Sequence, residues 1–232
     1  MSGTNVTITG ADGGFAGYLA SPASGRGPGV VIVQEIFGVN HTMREVADNL
    51  AARGFFALAP DLFWRLEPGV QLHDNVEAEW KHARELLGRF DREAGMTDIQ
   101  TTLAHLRALP GATGKAGVVG YCLGGYLAYL AACRTDSDAS VGYYGVNIQS
   151  KLDEAKNIKT PLMLHIAGHD EYCPPEAQKA LLDGLGKNPH VTLHVYPQMG
   201  HAFARPGGTH YDHACADLAN GRTATFLRQH LC

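Results

Sequence analysis

Gly120-Tyr121-Cys122-Leu123-Gly124-Gly125 is the stretch whose reading decides the fold. Lys115 to Val119 leads into it as a buried strand, and Leu127–Ala132 follows as an almost wholly apolar helix. A chain that passes from buried strand to buried helix in so few residues must turn sharply, with strained backbone at the apex. Side chains two positions before and two after the apex would collide with the neighbouring elements, and Gly120 and Gly124 occupy those places. The apex is Cys122. There a thiol sits at a helix N-terminus, where the dipole and the unsatisfied N–H groups favour a thiolate. The N–H of Leu123 points to the same spot and suits an oxyanion. An isolated cysteine is most often a buried structural thiol. The paired glycines and the strand–helix setting favour a nucleophile.

Outward from the turn, the chain alternates. Val6, Ile8 and the Asp12-Gly13-Gly14 turn predict an N-terminal antiparallel hairpin with Phe15–Ala20. Gly29–Val33 is a β-branched run of the kind covered on both faces. Met43, Val46, Ala47, Leu50 and Ala51 keep helical spacing up to Gly54, and Phe55–Ala59 is a second buried strand. Helices are expected over Val76–Leu87 and Met96–Leu109, and strands over Ala139–Tyr144, Pro161–Ala167 and Val191–Tyr196. Ala177, Ala180, Leu181 and Leu185 share a helix face capped by Gly186. A last helix from about Tyr211 is expected to turn Ala214, Cys215, Leu218 and Ala219 inward. The pattern predicts one α/β domain over residues 1–232, a mostly parallel central sheet with helices on both faces. With the nucleophile turn in place, this is the α/β-hydrolase fold.

Composition sets bounds. With 45% hydrophobic and 18% charged residues among 232, the chain can bury a large core. A net charge of −4 without a basic block speaks against nucleic acid. The five cysteines include no C-x-x-C pair and fit reduced thiols in a cytoplasmic protein. No signal sequence or membrane-spanning run is visible, so no membrane partner is expected. Neither a phosphate-binding glycine loop nor a metal-ligand pattern stands out, so no cofactor or metal is implied. Monomer is the default.

A thiol nucleophile needs a base, and the base an orienting acid. In α/β-hydrolases these follow the nucleophile in the order acid, histidine. After the strand Pro161–Ala167 comes Gly168-His169-Asp170; after Val191–Tyr196 comes Met199-Gly200-His201. Both loops open at the carboxyl edge that carries Cys122, which selects Asp170 and His201 from twelve histidines and many acids. Glu171 is the rival acid and His169 the rival partner. His165 and His194 lie within strands and read as packed neutral rings. His210 and His213 read as surface residues at i, i+3 on the last helix.

At these residues the sequence resembles the dienelactone hydrolase (carboxymethylenebutenolidase) family. Beside the cysteine turn the resemblance includes QEIFG at Gln34–Gly38, APDLF at Ala59–Phe63, VGYYG at Val141–Gly145 and GHAFAR at Gly200–Arg205. It implies a hydrolase of lactones or esters working through an acyl-cysteine on an anionic small molecule. It further implies that Glu35 keeps Cys122 a neutral thiol until substrate frees it to help remove the proton. Ile36 then gives a second oxyanion N–H beside Leu123, and Arg205 binds the substrate carboxylate. Phe37 and Tyr144 line the pocket. Family members carry a second substrate-binding arginine and then a tyrosine, where this chain has Trp80 and Arg84 with Lys81 adjacent. Lys81 or Arg84 is then the candidate replacement, and Trp80 reshapes the pocket. Two other functions compete: a general carboxylesterase or thioesterase on the same triad, and a non-catalytic ligand-binding or thiol-sensing protein with Cys173 as the resolving candidate.

Overall fold

The computed structural model describes residues 3–232. The chain divides into two compact units, one ending at Gly117 and one running from Val118 to Leu231.

In the first unit the predicted hairpin is β1 (Thr4–Gly10) and β2 (Gly13–Ala20), antiparallel with Ile8 opposite Phe15. β2 pairs antiparallel with β4 (Phe56–Pro60), which pairs parallel with β3 (Gly27–Val33). Every residue of β3 and β4 is buried, as their unbroken apolar runs require. α1 (His41–Ala52) buries Met43, Ala47, Leu50 and Ala51, and its N-cap Asn40 accepts from the Met43 N–H. α2 (Glu77–Arg89) and α3 (Arg92–Arg107) follow, α3 capped by Asp91. Two of the motif residues in this unit are structural. Buried Gln34 donates to the Glu35 carbonyl and accepts from the Leu62 N–H, and Asp61 accepts from the N–H groups of Phe63 and Gly69. Burial raises the Asp61 pKa, with those two hydrogen bonds pulling against it.

β5 spans Ala112–Tyr121; from Val118 onward it belongs to the second unit, where the strands are all parallel. β6 (Ser140–Tyr143) lies between β5 and β7 (Leu162–Ala167), and β8 (Val191–Tyr196) pairs with β7. α4 (Leu123–Arg134), α5 (Pro175–Leu185) and α6 (His213–Leu231) complete it, with a 3-10 helix over Ile148–Asn157 that sequence pattern did not reveal. β6 stops a residue earlier than predicted because Tyr144 leaves the strand at φ 36°. The inward face of α6 is also corrected. Ala216, Ala219, Thr223 and Leu227 face the core, while Leu218 is 49% exposed and Ala214 lies outside it.

A buried polar chain ties β6, β7 and β8 to α6. Tyr143 donates to Asn220 Oδ1 at 3.0 Å and lies 2.6 Å from Thr223 Oγ1, so its oxygen accepts from Thr223. His165 Nε2 then donates to the same Oγ1 at 3.0 Å, and Nδ1 accepts from the Tyr196 hydroxyl at 2.8 Å. The ring is neutral: burial, then His194 and Arg222, hold its pKa well below the ordinary value. Thr223→Val removes the hydroxyl that serves both Tyr143 and His165 and leaves their buried groups short of a partner. The variant is expected to lose about 1–3 kcal/mol in urea unfolding.

Candidate active site

Because β5, β7 and β8 run parallel, the loops after them leave the same edge. Cys122, Asp170 and His201 stand on those three loops.

Cys122 sits at φ 55° and ψ −113°, a conformation an L-residue adopts only when its surroundings force it. Its N–H donates to the Tyr143 carbonyl at 3.1 Å, and its carbonyl accepts from Gly125 and Tyr126 as the first link of α4. A Cβ at Gly120 would stand 1.9 Å from the Gly124 carbonyl oxygen, and one at Gly125 would stand 2.5 Å from the Tyr143 oxygen. Glycine is needed at both, for close approach of backbones. Leu123, first residue of α4, has an N–H with no intrahelical acceptor, beside a thiol that is neither buried nor fully exposed.

His201 is 6% and Asp170 5% exposed. Asp170 Oδ2 lies 2.8 Å from His201 Nδ1, and Oδ1 accepts the Tyr172 N–H at 2.8 Å. Both carboxylate oxygens are thus committed, which fixes the proton on Nδ1 and leaves Nε2 to do chemistry. Nε2 is buried without a hydrogen bond of ordinary geometry, yet Cys122 is among the chief influences on the ring. Burial works to lower the His201 pKa. The Asp170 hydrogen bond and Cys122 outweigh it and push the ring up to about 10. Tyr144, 2% exposed, packs its ring edge-on to the imidazole at 5.2 Å, so it braces that ring. The Tyr172 ring also lies edge-on to the imidazole, at 4.8 Å, and is 47% exposed.

The rivals fall away on exposure. Glu171 and His169 are exposed, whereas Asp170 is buried against the His201 ring. His210 is not on the last helix: it precedes α6, and its Nδ1 bonds the His201 carbonyl at 3.0 Å, which ties down the loop that carries His201. Arg205 is 6% exposed, so its guanidinium is inside the protein. Among the described residues no cluster of histidine, cysteine and acidic side chains could hold a metal ion. No helix among them is long and apolar enough to cross a membrane. An open recess of about 670 Å³, lined by residues such as Met163, Leu218, Arg222 and Phe226, contains none of the three groups.

In the first unit, Glu35, Ile36 and Phe37 follow β3 at its carboxyl end and are 2%, 6% and 1% exposed. Trp80 on α2 packs edge-on against Phe37 at 4.9 Å, and the Arg84 guanidinium lies 5.7 Å from the Trp80 ring centre. Three of the suggested pocket residues therefore form one cluster. Lys81 points to solvent.

The sequence profile of the dienelactone hydrolase family matches residues 15–231. The chain belongs to that family. It is thereby a hydrolase acting on ester or lactone bonds. It is 46% identical to a protein of Azospirillum brasilense over 98% of this chain and 99% of that one. It is 41% identical to carboxymethylenebutenolidase 1 of Cupriavidus pinatubonensis, over 98% of this chain and 97% of that one. Among solved structures, a dienelactone hydrolase-like promiscuous phosphotriesterase from metagenomic libraries superposes with a TM-score of 0.82 at 23% identity, covering the whole of both chains. That likeness speaks for the fold of this dienelactone hydrolase relative and for nothing further. Tyr172 escaped the sequence reading, and His210 was read as a surface residue of the last helix. Each lies close to a site loop in sequence, but no spacing rule marks a residue that meets His201 only in space.

Proposed function

We propose that this dienelactone hydrolase relative opens lactones or esters through an acyl-cysteine on Cys122. The observation that carries the reading is the strained Cys122 in the same unit as a His201 ring fixed by Asp170 at 2.8 Å. His201 takes the thiol proton, and Cys122 Sγ attacks the carbonyl carbon. The oxyanion gathers on the Leu123 N–H, and the family resemblance implies the Ile36 N–H as its second donor. The carbon–oxygen bond breaks, and the leaving oxygen receives the proton from His201. Water then attacks the thioester as His201 accepts its proton, releasing the acid and the Cys122 thiol.

The remaining roles follow the family resemblance. Glu35 opposes the thiolate at rest and serves as a reserve base once substrate binds. Arg205 holds a carboxylate of the substrate, for which its planar fork is suited. A general carboxylesterase remains the second reading, favoured by one observation: Trp80 is packed on Phe37 where the family has a substrate-binding arginine. A thiol sensor is disfavoured. Its resolving candidate, Cys173, is 3% exposed, and burial, then Asp170 and Glu176, push its thiol up to about 11.

Rapid-quench kinetics with 4-nitrophenyl acetate test the reading. A burst of one nitrophenolate per chain is expected, with the acetyl group found on Cys122 by peptide mass spectrometry. Linear progress with no acylated cysteine sinks it. Dienelactones and neutral lactones assayed alongside separate the two substrate classes.

A further inference from the structure

His201 stands on a loop at the sheet edge and yet is almost wholly covered. Two aromatic rings lie against it, and they differ. Tyr144 reaches the imidazole from inside and is 2% exposed; Tyr172 reaches it at 4.8 Å, with planes 73° apart, and is 47% exposed. Phe203, on the same loop as His201, is fully buried. Tyr172 thus leaves a large part of its ring to solvent beside the reacting groups. Its position is not left to chance: its N–H donates to Asp170 Oδ1, the second oxygen of the carboxylate that orients the base. One carboxylate places both the imidazole and the tyrosine.

The chemistry fixes what comes next to that ring. A leaving oxygen must come within hydrogen-bond reach of His201 Nε2 to receive its proton. Whatever is attached to that oxygen then lies beside the imidazole, where the aromatic residue open to solvent is Tyr172. We propose that Tyr172 is a specificity-determining residue on the leaving-group side, favouring esters and lactones whose leaving oxygen is borne by a planar aryl or enol group. An aryl or enol plane can lie against an aromatic ring already held in place, and little ordering is left to be done on binding. A saturated alkyl group offers less surface and no π face. The proposal rests on the acyl-cysteine reading, since that mechanism is what brings the leaving group to His201.

The test compares phenyl acetate with 2,2,2-trifluoroethyl acetate, which share an acyl group and have activated leaving groups. The readout is the ratio of kcat/KM in each variant to that in wild type, so intrinsic reactivity cancels. Tyr172→Ala is expected to lose roughly 2- to 12-fold on phenyl acetate and less than about 2-fold on the trifluoroethyl ester. Tyr172→Phe is expected to retain the wild-type preference, and the urea midpoint of both variants should match wild type. An equal loss on both esters, or no loss on either, overturns the role of Tyr172. Undiminished turnover in Cys122→Ala overturns the acyl-cysteine reading itself, and the proposal with it.

Discussion

Cys122→Ala is expected to lower kcat for ester or lactone hydrolysis by on the order of 10⁴- to 10⁶-fold while leaving the protein folded. The size of the effect follows from what remains. The Leu123 N–H and the imidazole–carboxylate pair stay in place, but without Sγ no thioester forms and water must attack the substrate directly. Cys122→Ser tests the same point more finely. A hydroxyl fits the space, but His201 Nε2 has no ordinary hydrogen bond toward residue 122 to draw its proton away. An alcohol gives up its proton far less readily, so the serine variant is expected to recover only a small part of the lost rate. Stability gives an independent reading. Cys122 and an alanine in its place both carry a Cβ at φ 55°, so Cys122→Ala should unfold near the wild-type urea concentration. Cys122→Gly relieves the strain and is expected to be about 1–2 kcal/mol more stable than Cys122→Ala. A glycine variant no more stable than the alanine variant would mean that the turn stores no strain.

That strain is also why so much of the site was legible beforehand. A turn that requires glycine by backbone collision leaves a mark in sequence: Gly120 is that mark, while the second collision falls at Gly125, one residue beyond the Gly124 that the spacing picked out. The strands were legible for a related reason: β3 and β4 are buried throughout, so each is an unbroken apolar run. Asp170 and His201 could be picked out because parallel strands deliver their loops to one edge. Other features carry no such mark. Thr223 meets His165 across 58 residues and Tyr143 across 80, and a histidine within a strand looks alike whether bonded or merely packed. The inward face of α6 was misread because Ala214, Cys215, Leu218 and Ala219 fit helical spacing as well as Ala216, Ala219, Thr223 and Leu227 do. Small residues discriminate poorly between faces, and the choice was made by tertiary packing. Arg205 was singled out by the family resemblance alone, since nothing in the spacing of its neighbours tells a buried arginine from a solvated one.

Asp170→Asn is expected to lower kcat by about 10³- to 10⁴-fold with little change in architecture. The amide still accepts the Tyr172 N–H through its oxygen, so the loop keeps that bond. Its NH₂ group then faces His201 Nδ1 and donates to it. Nδ1 must become the acceptor, the ring proton moves to Nε2, and the base can no longer take a proton from Cys122. The pH dependence should move with it. In wild type the imidazole is held up to about 10: burial opposes this, and the Asp170 hydrogen bond and Cys122 prevail. The upper apparent pKa of kcat/KM, which belongs to the thiol–imidazole pair as a whole, should therefore lie near 10 in wild type and fall in the variant. Stability carries the same signature. A histidine raised from 6.5 to about 10 contributes fully below pH 6.5 and loses that contribution as pH rises through 10. The gap between wild type and Asp170→Asn in urea unfolding should be widest near pH 6 and narrow steadily toward pH 10. A gap that stays constant, or widens with pH, would show that Asp170 does not hold the proton on His201, and the base would have to be sought elsewhere.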